Sequence, residues 1–218
     1  MLPIVLHSHH GGPNPWKCAL IMEELGIPYE TKFVAFEDVK KEPFISVNPN
    51  GRLPAIEDPN TGLTLWESGA IVQYLIEQYD TEHKISYADS PNKYLTQQWL
   101  FFQATGQGPY YGQAVWFNRY SPEKIPIAID RYKNEAVRVT GVLDKVLQDR
   151  DWLVGDKCTY ADLSFIAWQR RATIFFGSDF YDQFPKAKAW MERMEARTTV
   201  QKVYKEQDEA IAKFGPKA

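Results

Sequence analysis

Several places along the chain carry residue types suited to chemistry. Asn14-Pro15 reads as a helix start, because Asn is a favoured N-cap and Pro lacks the N–H that has no partner at the first helical position. An Asn there brings a side-chain amide donor beside the positive end of a helix, where an anion is favoured. Glu67-Ser68 opens another helix. Free N–H groups and a hydroxyl at such a start suit a carboxylate, and Glu67 suits an ammonium, while Ser68 alone is also an ordinary cap. Arg52 and Lys41 are cations able to meet carboxylates; Lys40 is an alternative to Lys41, and a solvated face suits either lysine equally well. Leu53-Pro54, on its own, reads as a plain strand start. His7-Ser8-His9-His10 invites a metal, since alternate residues of a strand share a face. A transition-metal site needs three or four ligands and no further Cys/His cluster joins these, so no metal is expected. Cys18, one turn after Asn14, reads as a small buried residue.

The elements that must position these groups follow from periodicity and punctuation. Ile4-Val5-Leu6 is a short buried strand, and Trp16, Ala19, Leu20, Met22 and Leu25 have helical spacing that Gly26 and Pro28 end. Tyr29–Phe36 reads as a second strand, Phe44–Val47 as a short apolar segment before the Asn48-Pro49-Asn50-Gly51 turn, and Pro54–Glu57 with Leu63–Trp66 as a hairpin. Ser68–Tyr79 carries Ile71, Val72, Leu75 and Ile76 on one helical face. The order β-α-β-(short)-β-β-α occupies residues 1–80, a polar stretch at 81–90 reads as a linker, and helical patterns fill 91–218. There, Ser90-Pro91 caps a helix to about Tyr120 that Gly106, Gly108, Pro109 and Gly112 should kink or break. Further helices run over 126–149, from Thr159 to about Arg171, and beyond Pro185. Thr159 and Asp162 are placed to cap theirs, with Cys158 and Leu163 at the staple positions.

The chain has 218 residues and a formal charge of −3, room for one large or two modest domains. With 44% hydrophobic and 24% charged residues it is neither globally disordered nor charged in a way that recruits nucleic acid. No run approaches the length of a membrane span, the N-terminus lacks the form of a signal peptide, and two distant cysteines suggest a reducing compartment; a cytosolic location is expected. Aromatics reach 14%, and nine of them fall between Tyr94 and Tyr120.

The run Val47-Asn48-Pro49-Asn50-Gly51-Arg52-Leu53-Pro54-Ala55, then Leu65-Trp66-Glu67-Ser68-Gly69-Ala70-Ile71, together with the Thr159–Asp162 cap, resembles the cytosolic glutathione transferase superfamily over the whole chain. Ser8–Lys17, Trp99–Gln103 and Gly108–Ala114 look like the fungal class related to the yeast nitrogen-catabolite repressor prion protein, and are similar to bacterial nu-class relatives. The repressor's Asn/Gln-rich segment is absent, and Gly12 stands where many of these proteins carry Ser or Thr. The resemblance implies a thioredoxin-like α/β domain followed by an all-helical bundle, a homodimer, and glutathione as co-substrate.

It further implies that the Leu53–Pro54 bond is cis and meets the peptide ligand by its backbone. Lys41, Arg52, Leu53, Glu67 and Ser68 would then hold glutathione. Asn14 would stabilise its thiolate, since a thiol near pKa 8.5 is mostly protonated at neutral pH; Ser8 is the alternative donor, if the His9–Pro13 loop folds back. Tyr110, Tyr111, Trp116 and Trp168 would line an apolar pocket for an electrophile, although stripes such as Trp99, Phe102 and Trp116 also suit a core. The expected function is glutathione conjugation to apolar electrophiles. The alternatives are glutathione-dependent disulfide reduction, and regulatory glutathione binding with little catalysis.

Overall fold

In a computed structural model, which describes residues 1–215, the β-branched and apolar run Ile4–Ser8 forms β1 at the centre of a four-stranded sheet. It pairs in parallel with β2 (Tyr29–Phe33) and antiparallel with β3 (Ala55–Asp58), which pairs with β4 (Leu63–Trp66), giving the order β2-β1-β3-β4. The expected second strand stops three residues early. The N–H of Val34 donates to the carbonyl of Ser8, where β1 ends, so residues beyond it have no strand to pair with.

Between β1 and β2 runs α1 (Pro13–Leu25), ended by Gly26 at φ +68° as the Gly26/Pro28 signal predicts. The start differs from expectation. Pro13 takes the first helical position and Gly12 the cap, so Asn14 lies inside the first turn rather than capping it. After β4 comes α3 (Ser68–Tyr79), which packs on α1; the single turn α2 (Phe44–Val47) lies between β2 and β3. Alternation along β1 puts Ile4, Leu6 and Ser8 on one face and sends His7 to the other, where its ring meets Phe44. The core between sheet and helices is formed by Ile4, Leu6, Leu20, Ile21, Met22, Ile56, Ile71 and Leu75, all fully enclosed.

Contacts divide the chain into residues 1–86 together with those from Glu195 onward, and residues 87–194. The expected division gave everything beyond residue 90 to the helical domain. The last helix, α10 (Thr198–Phe214), belongs instead with the first unit, because Arg197 makes a bidentate pair with buried Glu24 of α1 (2.8 and 2.9 Å), Thr199 bonds the same carboxylate, and Lys202 pairs with Glu23.

The second unit is helical throughout: α4 (Asn92–Phe102), α5 (Gly108–Val115), α6 (Pro126–Val146), α7 (Tyr160–Gln169), α8 (Ala172–Phe176) and α9 (Pro185–Glu195), whose last residue lies at the boundary. Pro91, not Ser90, precedes α4, so the helix starts at Asn92. The glycines and Pro109 do not break the chain there. It stays helical but widens into π turns at Gln103–Gln107 and Trp116–Tyr120, and the first accommodates Pro109, which has no N–H to donate. The Thr159–Asp162 cap is formed reciprocally as expected. Asp162 is fully enclosed and accepts from the N–H groups of Leu153 (3.0 Å) and Thr159 (2.9 Å), the Thr159 hydroxyl and the Trp190 indole (both 3.0 Å). No helix among the described residues is long and apolar enough to cross a membrane.

Candidate functional site

The starts of α1 and α3 and the turn before β3 organise the candidate residues of the first unit. Asn14, half-buried, stands in the first turn of α1. The loop ahead of it folds back on His9: the N–H of Gly11 donates to His9 Nδ1 (3.0 Å), the N–H of Gly12 to the His9 carbonyl, and the Trp16 indole to the carbonyls of His9 and His10 (3.1 Å each). The ring of His9 stacks on Phe36 (3.7 Å between centroids, 10° between planes). Burial, with His10 adding to it, holds His9 down to about 4. A neutral imidazole accepting at Nδ1 keeps its proton on Nε2, so the His9 ring is uncharged where it holds the loop. Sequence reasoning weighed His9 as a metal ligand and as a loop residue but not as a stacking partner of Phe36.

The fold-back does not expose Ser8. Its side chain is on the face of Ile4 and Leu6, 1% exposed, with Oγ unpartnered. Enclosed there, Ser8 does not meet the expectation that it could donate to a ligand. Cys18 is likewise enclosed, and burial pushes its thiol up to about 12, which keeps it neutral and unreactive.

The turn before β3, expected from Asn48-Pro49-Asn50-Gly51, is held by buried Asn48, whose own bonding role the sequence reading did not assign. Its Nδ2 donates to the Arg52 carbonyl (2.6 Å), while its Oδ1 accepts from the N–H of Asn50 (2.9 Å), an Asx turn. Gly51 stands at φ +61°, where a Cβ would come within 3.0 Å of the Val39 carbonyl, so only glycine fits there. Leu53–Pro54 is cis, as the resemblance implies. Arg52 extends into solvent. Lys41 is exposed and pairs with Asp38 (2.9 Å), whose carboxylate raises the lysine's pKa.

Glu67 occupies the position before α3 at φ +71°, a costly conformation for a residue with a side chain. Its carboxylate is exposed and accepts a long bond from Asn50 Nδ2 (3.4 Å). Ser68 is buried at the first helical position, 8% exposed. Asp58 anchors the far end of α3 by accepting from the hydroxyls of Tyr74 (2.6 Å) and Tyr79. The structure thus presents an exposed carboxylate and a helix start side by side, an arrangement matched to the ammonium and carboxylate of an α-amino acid.

In the second unit the four expected pocket residues separate into two groups. Trp116 is 45% exposed and lies edge-to-face on Phe117, which stacks on Tyr132 (5.5 Å, 13°), and Tyr110 leans on the same Tyr132. These rings form a surface. Tyr111 and Trp168 belong to the interior, which corrects their reading as pocket wall. Tyr111 is fully enclosed, its hydroxyl meeting Thr140 Oγ1 (2.7 Å) and Gln169 Nε2 (3.1 Å), and Trp168 packs edge-on against it. The helix remains unbroken at this point, so Tyr111 has no gap to open into. A separate cavity of about 230 Å³ in this unit is lined by Ala114, Asn118, Ile129, Asp130, Lys133, Phe175 and Phe176. Among the described residues no group of three or more His, Cys, Asp or Glu is placed to hold a metal.

Comparison with known proteins agrees with this geometry. Residues 2–77 match the family model for the glutathione S-transferase N-terminal domain, and residues 113–198 that for the C-terminal domain. A glutathione S-transferase-like protein of Aspergillus terreus, gedE, is 52% identical over 215 residues, covering 93% of this chain and 95% of its own length. The glutathione transferase URE2P6 of Phanerochaete chrysosporium, solved with oxidized glutathione, superposes with a TM-score of 0.91 at 46% identity, covering 95% of this chain and 97% of the other. Ure2p5 of the same fungus, cocrystallized with 1-(S-glutathionyl)-2,4-dinitrobenzene, gives a TM-score of 0.89 at 41% identity and covers 98% of each chain. Motifs, fold and relatives agree throughout: the chain belongs to the glutathione S-transferase family, among its fungal URE2-like members.

Proposed function

We propose that this enzyme conjugates glutathione to apolar electrophiles, with Asn14 stabilising the thiolate. The observation that carries the reading is the pairing of an exposed Glu67 carboxylate with the start of α3 at Ser68, opposite in polarity to the γ-glutamyl end of glutathione. Leu53 would meet the peptide by its backbone beside cis Pro54, with Arg52 and either Lys41 or Lys40 toward the remaining carboxylate. Asn14 lies in the first turn of α1, where its amide N–H groups and the helix start favour a thiolate together. An amide takes no proton at neutral pH, so its role is stabilisation rather than abstraction. Trp116 and Tyr110 offer the electrophile an aromatic surface. The dinitrobenzene adduct bound by Ure2p5 supports this class of acceptor.

The test is conjugation to 1-chloro-2,4-dinitrobenzene across pH. A charge-assisted bond to sulfur is worth about 1.5–3 kcal/mol, so Asn14→Ala should lower kcat/KM roughly 10- to 100-fold and move the rate profile to higher pH. An unchanged profile removes Asn14 from the mechanism.

A second reading, reduction of glutathione-containing disulfides, draws support from the oxidized glutathione bound by URE2P6. Glutathione would supply both thiols, since Cys18 is enclosed and neutral. Strong disulfide reduction without conjugation would establish it over the first. We also infer a homodimer in the cytoplasm. Exposed Leu63 and Trp66 in the first unit, and Tyr94, Leu95 and Phe101 in the second, supply apolar surface for a second copy. Sedimentation of the purified chain and a fluorescent fusion in cells test the two points.

A further inference from the structure

Lys17 is the only lysine or arginine buried among the described residues, at 1% exposure. It follows Asn14 by three residues, so both side chains rise from one face of α1, the helix that packs on α3. Burial lowers the Lys17 ammonium to about 8, still largely protonated at neutral pH, against the opposing influence of the neighbouring Cys18 and of Glu67 at the start of α3. Cys18 stays protonated, whereas Glu67 is a carboxylate whose charge reaches Lys17. A buried ammonium costs several kcal/mol in desolvation, and an apolar residue of the same length would fill the space without that cost. The chain nonetheless places a cation here, one helical turn from Asn14 on the helix that packs on α3.

We infer that Lys17 is a positioning residue that sets the polarity of the γ-glutamyl subsite, an enclosed positive charge behind the exposed negative charge of Glu67, and so fixes which way round an α-amino acid head group enters. This inference rests on the assignment of Glu67 and Ser68 to that subsite. The head group is a zwitterion. Its carboxylate turns inward, toward the N–H groups of α3 and the field of Lys17; its ammonium turns outward, to Glu67. Neither charge alone selects this orientation as strongly as the two together, because reversing the zwitterion sets like charges against each other at both ends. Lys17 needs no contact with the ligand, since a charge in a low-dielectric interior acts over several ångströms with little screening.

The experiment is calorimetric titration with S-methylglutathione, whose blocked sulfur removes thiol ionisation from the measurement, and with two analogues. One carries a carboxamide in place of the γ-glutamyl α-carboxylate; the other lacks the α-amino group. Lys17→Met should weaken S-methylglutathione about tenfold and the carboxamide hardly at all, while Lys17→Arg keeps most of the affinity. Equal weakening of both ligands, or of neither, overturns the inference, because a merely structural role cannot distinguish them. Glu67→Gln tests the underlying assignment separately: it should weaken S-methylglutathione and spare the desamino analogue. If it weakens neither, the subsite is misassigned; if it behaves as expected while Lys17→Met does not, only the role of Lys17 falls. Should Lys17→Met fail to fold, Lys17→Gln, neutral and polar, carries the same comparison.

Discussion

Around the starts of α1 and α3, side chains are placed by the backbone; on α5 and the π turn after it, they are placed by ring against ring. The first region relies on Gly51 at φ +61°, Glu67 at φ +71°, the Asn48 turn and the His9 fold-back, each fixing one atom group in one direction. The second relies on Trp116, Phe117, Tyr132 and Tyr110, whose contacts tolerate exchange of one ring for another. A tripeptide that never changes is suited to the first kind of site, and acceptors of varied shape to the second. The two kinds should also fail differently when altered.

The largest effect should come from the interior of the second unit. Asp162→Ala leaves four donors without their acceptor and should destabilise the protein by about 3–5 kcal/mol, read from urea unfolding. A loss below 1 kcal/mol would mean that the cap is not what holds the second unit together. Next is Glu67→Ala, expected to raise the glutathione KM about 100-fold, through loss of a charge-assisted partner, with little change in melting temperature. Equal losses in both would erase the contrast between a binding backbone and a packed one. Trp116→Ala should change kcat/KM by roughly 2- to 10-fold, with a sign and size that vary among electrophiles and a constant glutathione Kd. A uniform loss across electrophiles would deny it contact with the acceptor.

The smallest effect is on pH. Burial works to raise the Glu24 carboxyl, but bonds from Arg197 and Thr199 and the charges of Arg197 and Lys84 outweigh it and hold the group below the ordinary carboxylate range. A depressed folded pKa stabilises above the unfolded value near 4.5, and that stabilisation drains away as pH falls toward the folded value. Arg197→Met should therefore flatten the acid limb of the melting-temperature profile below about pH 5. An unaltered limb would show that the pair contributes nothing to stability.

What was legible in the sequence was what local rules encode. The helix over 68–79, the β3–β4 hairpin and the reciprocal Thr159/Asp162 cap depend on residues close together in the chain. The start of α1 was misread by two residues because Pro13 and Pro15 both suit a first turn, and only Gly12 as cap distinguishes them. Enclosure of Ser8 and Tyr111 was not legible, since it depends on which face of β1 meets the helices and on Thr140 and Gln169, far along the chain. The glycines near Tyr110 promised a break that a π turn absorbs, a change of five residues' winding that composition does not report.

The bidentate grip of Arg197 on Glu24 also has a meaning in time. The first unit is written by two segments that flank the helical unit, so its outer helix face on α1 waits for residues made after that unit. During synthesis the helical unit is an insertion emerging into an unfinished neighbour, and a ribosome stalled near residue 194 would present a thioredoxin-like half with its closing strap still missing. The Arg197–Glu24 pair therefore cannot form until the whole helical unit has been made.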